Sequence, residues 1–109
     1  MLPAARMRHR VVLLAPTASV GGTYGDPQQT FAAAATVWAS VEPLLGRELQ
    51  RMRELGGEAS VRVRLRWRAE VDEKWRVQIG SAVHEIVAPP IDVYGAHVEM
   101  QLLCREYRQ

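Results

Sequence analysis

ATVWASVEPLLGRELQRMREL, residues Ala35 to Leu55, changes its hydrophobic period halfway along, and that change decides the fold. From Thr36 to Glu42 the residues alternate, with Val37, Ala39 and Val41 on one side and Thr36, Trp38 and Ser40 on the other, the pattern of a half-buried strand. Pro43 ends the strand. After it Leu45, Leu49, Met52 and Leu55 recur at helical spacing while the remaining positions are mostly Arg, Glu and Gln, so one face of a short helix is apolar. Gly56 and Gly57 supply the positive φ that closes a helix C-terminus. A strand that runs through one proline into a helix of about three turns reads as a sheet or barrel strand followed by a projecting element.

Working outward, His9 to Ala15 reads as a first strand with apolar residues on both faces, stopped by Pro16. The stretch from Thr17 to Gln29, TASVGGTYGDPQQ, is too long for a hairpin turn and is expected to be a mobile loop that orders against a partner through Gly21, Gly22, Tyr24 and Asp26. A third strand is the cleanest signal: Val61, Val63, Leu65 and Trp67 alternate with Arg62, Arg64, Arg66 and Arg68. Trp75 to Ile79 and Ala82 to Ala88 form a hairpin about Gly80 and Ser81, closed by Pro89 and Pro90. Asp92 to Ala96 turns the chain into a sixth strand, with Val98, Met100, Leu102 and Cys104 facing in and Glu99, Gln101, Leu103 and Arg105 facing out. The expected architecture is mostly β: a small six-stranded antiparallel β-barrel, with one short helix between strands 2 and 3 and a long loop between strands 1 and 2. Closing the sheet removes edges that such apolar strands would otherwise expose.

Composition narrows the function. A chain of 109 residues reads as one domain spanning 1–109, long enough to bury roughly two thirds of its unfolded surface. Its single cysteine, Cys104, can form no internal disulfide and falls on the inward face of its strand. No apolar run approaches the roughly 20 residues that span a bilayer, so no membrane partner is expected. The net charge of +2 is small for a nucleic-acid binder, and nearly all the positive charge is arginine, the cation of bidentate interface contacts. His9, His84 and His97 are scattered without ligand spacing, and no nucleophile elbow or phosphate loop is present, so neither an enzyme nor a cofactor or metal is expected.

In this order and spacing the elements resemble the phage head-tail joining family, the head closure or stopper proteins of tailed phages. The likeness is carried by Arg8, His9 and Arg10 before VVLLAPT, by TVWASVEPL from Thr36 to Leu44, by Gly46, Arg47 and Glu48 opening the helix, by the alternating third strand, by Arg76 and Val77 with Gly80, and by LLCRE from Leu102 to Glu106. It runs from about Arg6 to Tyr107; the chain departs from it in the glycine pair of the long loop and at Gly80 to His84. The resemblance implies a hexameric or dodecameric ring in the neck of a phage or gene-transfer particle, made in the bacterial cytoplasm. An adaptor or portal-side ring would lie above it, a tail terminator or tail tube below, and double-stranded DNA in its channel. It also implies that Pro43 to Ala59 is the channel-facing gate, with Arg47, Glu48, Arg51, Arg53 and Glu54 at the hole. A tail terminator or tail completion ring, or an oligonucleotide-barrel module with the arginine row as its groove, are the alternatives.

Two readings stay open for the ring interface. Trp38 is either an outward anchor for a neighbouring copy or an indole buried at a barrel corner. Arg62, Arg64, Arg66 and Arg68 either meet a neighbour or DNA, or form a solvated strand face pairing with Glu99 or Glu85.

Overall fold

The computed structural model describes residues 7–17, 20–21, 27–28 and 30–107. In chain order the strands and helix are β1 (His9–Pro16), β2 (Val20–Gly21), β3 (Pro27–Gln28), β4 (Phe31–Pro43), α1 (Gly46–Glu54), β5 (Val61–Arg66), β6 (Arg76–Ile79), β7 (Ala82–Ile86), β8 (Ile91–Val93) and β9 (Glu99–Glu106). Antiparallel pairing runs β5-β4-β1-β6-β7-β9, and β9 then pairs with β5, which closes a six-stranded barrel. β8 adds to β9 outside the ring, and β2 pairs only with β3.

Alternation along each strand decides what fills the barrel. Val11 and Leu13 of β1, Val63 and Leu65 of β5, Val77 of β6 and Met100, Leu102 and Cys104 of β9 are fully buried inside it. Their burial supplies the stability, at about 25 cal/mol for each Å² of apolar surface removed from water. The interior is thus a packed core and offers no passage through the subunit. Desolvation in that core pushes the Cys104 thiol up to about 12, so it stays protonated and unreactive.

Four elements differ from the sequence reading. β4 starts at Phe31, five residues before the expected Thr36, and its alanines pair with β1 through a bulge: Leu13 lies opposite Ala35 and Leu14 opposite Ala33. One extra residue there increases the local twist, which a small closed sheet needs. Within the expected Thr17 to Gln29 loop, β2 pairs with β3 and Thr17 donates its N–H to the Thr30 carbonyl at 2.8 Å. β8 occupies residues expected to be turn, with Val93 opposite Glu99. Finally, β9 begins at Glu99, not before it. Val98, expected to face in, lies outside the strand and is exposed, its carbonyl accepting the Trp67 N–H, while Glu99, expected to face out, is buried.

Candidate assembly surface and projecting helix

β4 and β5 hand the chain to α1. Leu44 is buried and donates its N–H to the Ser60 carbonyl at 2.8 Å, and Ala59 is buried on the return, so both ends of the excursion are fixed to the barrel. Between them α1 buries none of its residues. Its apolar stripe is uncovered at the two ends, where Leu45 is 69% and Leu55 80% exposed, and half-buried between them at Leu49 and Met52. Under the helix lies an open cleft of about 200 Å³ lined by Leu44, Met52, Leu55 and Leu103 among others. A nine-residue helix with no side-chain N-cap hydrogen bond is below the length at which helices, about 12 to 15 residues, hold alone. Its C-terminus does follow the sequence reading. Gly56 takes φ 79, and a Cβ on Gly57 would lie 2.2 Å from the Met52 sulfur.

One ion pair ties the helix to the barrel. Arg62 on β5 reaches Glu48 on α1 and Glu42 on β4, so Glu48 of the expected gate is tethered to the sheet while about half exposed. The other four residues of the expected gate, Arg47, Arg51, Arg53 and Glu54, are exposed and form no ion pair among the described residues.

The arginine row divides into separate environments. Arg62 is paired as above, and Arg64 is half-buried with its Nε lacking a partner. Arg68 bonds Glu70 at 2.9 Å, and Glu70 is held below its ordinary value first by a backbone hydrogen bond and then by Arg68. Arg66 is exposed and forms no ion pair among the described residues. The expected Glu85 partner belongs instead to Arg105, at 3.3 Å, which also holds Glu58. Glu99 lies across from Arg66 in register.

Beside Arg66 the sheet presents an aromatic groove. Trp38 stands on the outer face, 51% exposed, with the Arg10 guanidinium 4.8 Å from its ring centre. Met7, Val37, Trp38, Arg66, Trp67 and Arg68 enclose a groove of about 420 Å³. Trp67, expected inside the third strand, lies one residue beyond β5 and is half-buried; it packs on the core and stacks on His97 at 4.6 Å.

The turn expected at Asp92 to Ala96 joins β8 to β9, and His97, whose part in it sequence reasoning missed, closes it. Asp92 accepts the His97 N–H at 3.0 Å, and its other oxygen faces the ring Nε2 at 3.2 Å. At the tip Tyr94 is 82% exposed with φ 63, a conformation costing a non-glycine residue of order 1 kcal/mol. An Asp at the first and a Gly at the fourth position, Asp92 and Gly95, is the sequence signal for that turn. Of the expected partner loop, Gly21 lies in β2, and Gly22, Tyr24 and Asp26 lie outside the described residues. No three His, Cys, Asp or Glu side chains gather as a metal site among the described residues, and no helix there is long and apolar enough to cross a membrane.

A closed barrel with an unburied helix on its second crossing can be compared with known proteins. The profile of the phage head completion proteins matches residues 2–107. This chain belongs to the phage head completion protein family. Membership makes it a structural protein of phage head closure, associated with the virion and acting with head and tail components. The solution structure of protein SF1141 from Shigella flexneri 2a shares the fold of this head completion protein, with a TM-score of 0.71 and 22% identity over 99% of both chains. No curated protein matches it.

Proposed function

We propose that this head completion protein acts as a ring subunit of the phage neck. In this reading six or twelve copies surround the DNA channel, between a portal-side ring and the tail terminator or tube, and α1 projects into the channel to retain packaged DNA until the tail is engaged. The observation that carries the reading is the helix itself. It is amphipathic, anchored at both ends, held to the barrel by Arg62, and has no fully buried residue, with Leu49 and Met52 only half-buried. A helix that only stabilised the fold would cover its apolar stripe. Three arginines on it, Arg47, Arg51 and Arg53, form no ion pair among the described residues and supply cations for DNA phosphates.

Replacing residues 45–57 by a short glycine linker, with Leu44 and Ala59 retained, tests the reading. The barrel is expected to melt as before, while heads carrying the variant lose DNA or fail to join tails. Particles that package, hold their genome and infect normally would remove the gate. Imaging the chain at the far end of the tail tube would assign it instead to tail completion.

A further inference from the structure

We propose that Tyr94 is a knob that seats in the Trp38–Arg66 groove of the next copy of this chain, forming the head-to-tail contact of the ring; the inference rests on the ring reading above. The backbone gives the first reason. Gly95 donates its N–H to the Asp92 carbonyl at 3.1 Å, so Tyr94 is the third residue of a tight turn at φ 63. Glycine or asparagine holds that position more stably. The ring is 82% exposed, so packing within the chain does not compensate for the strain. The turn is nonetheless fixed, by Asp92 on the His97 N–H and by His97 stacked on Trp67. A large aromatic held rigidly and exposed loses little freedom on docking, which is the property of an interface anchor.

The groove complements that ring in shape and charge. Its volume of about 420 Å³ is walled by Val37, Trp38 and Trp67 and edged by Arg66 and Arg68. Aromatic faces carry partial negative charge, so a tyrosine between two tryptophans and beside a guanidinium is favourably placed. Arg66 forms no ion pair among the described residues and is offered to the ring face and to the phenol oxygen.

Placement on the barrel makes the pair intermolecular. Ala39 opposite Leu65 brings Trp38 beside Arg66, Arg66 lies opposite Glu99 in register, and Glu99 opposite Val93, next to Tyr94. Groove and knob therefore end one row across β4, β5, β9 and β8, about 14 Å long at the usual strand spacing. Two of those three steps lie on the closed six-stranded ring and turn the outward direction by about a third of a circle. A knob and a socket facing different ways on one subunit form a heterologous contact, which propagates around an axis until it closes. A nucleic-acid strand fits the groove less well, because Arg68 is already paired with Glu70 and Glu99 is buried beside Arg66, leaving little charge to track phosphates.

The test uses the full chain, unmodified and as Tyr94→Asn or Trp38→Ala, followed by sedimentation and NMR up to about millimolar concentration. The unmodified chain is expected to self-associate, with the Trp38 and Tyr94 resonances moving together. Each variant should stay monomeric, and Tyr94→Asn should unfold at the same temperature or higher, since asparagine tolerates the turn. Mixing the two variants should give dimers that grow no further, because each retains only one half of the contact. Four outcomes overturn the proposal: no association of the unmodified chain, association untouched by Tyr94→Asn, no dimer in the mixture, or Trp38 resonances that answer a single-stranded oligonucleotide in place of a second copy. Copy number in purified particles judges the ring separately. Many copies with Tyr94→Asn assembling normally removes the knob and keeps the ring; a single copy removes the ring.

Discussion

Two leucines ten residues apart should answer very differently to truncation. Leu65 is fully buried in the barrel, and Leu55, just past α1, is 80% exposed. Cutting a buried leucine to alanine costs about 3 to 5 kcal/mol, from lost transfer energy plus the cavity left behind. For Leu55 only about a fifth of the side chain leaves water, so a full burial worth about 2 kcal/mol reduces to about 0.4 kcal/mol. In a domain of this size 1 kcal/mol moves the melting midpoint by about 4 to 8 °C. Leu65→Ala should therefore melt at least about 12 °C below the parent, and Leu55→Ala only about 2 to 3 °C below. Calorimetry of the two variants gives the comparison, and DNA retention in heads carrying Leu55→Ala gives the functional counterpart, expected to suffer despite the intact fold. Equal thermal losses would mean that the α1 stripe is a buried structural face and that the helix is no free element.

Other outcomes follow from single contacts. Burial raises the Cys104 thiol from its ordinary value near 9.0 to about 12, so its contribution to stability is complete below about pH 9 and is lost as pH climbs toward 12, where only the unfolded chain ionises first. Denaturation midpoints between pH 8 and 11 should accordingly fall less steeply in Cys104→Ala; an unchanged slope would place the thiol in water. Arg62→Gln removes the tether to Glu48 and Glu42, both about half exposed, and should cost less than about 1 kcal/mol. Amide exchange over residues 46–54 should nonetheless accelerate, and unaltered exchange would show that the ion pair does not hold the helix. Trp67→Ala should lower stability by about 2 to 3 kcal/mol and shift the His97 ring resonances; a turn that keeps its His97 shifts would refute the stacking.

The barrel was legible wherever a strand had two chemically distinct faces. β5 is the extreme case, with arginine alternating against valine and leucine, and both hairpin strands β6 and β7 follow from Gly80 between apolar runs. The start of β4 was not legible, because Phe31 to Ala35 is almost all alanine, which shows no alternation and has weak strand preference. Only its pairing with β1 selects extended structure there. β8 has three residues, too few for a period to stand out from the turn that follows. Missing it left the cover over Glu99 unseen: β9 keeps the expected phase, with Met100, Leu102 and Cys104 in the core, but Glu99 lies opposite Val93 of β8 and is buried. As for the site, alternation placed Trp38 on the outer face, where it is found. The partners of the arginines depend on which strands are neighbours and on where α1 lies, and neither can be read along the chain. Arg62 reaching a helix fourteen residues earlier is the plainest example.

β9 touches β5, β7 and β8 at once, and it is made after all of them. During translation those three strands present bare edges until β9 leaves the ribosome. The contacts of β9 with β5 and β7 that close the ring are distant in sequence, so closure must be slow compared with forming the β6–β7 hairpin. A phage producing this protein in quantity therefore carries a window in which half-made copies can adhere to one another. Chaperones, or a pace of synthesis that brings β9 out quickly, should set how many usable subunits are obtained.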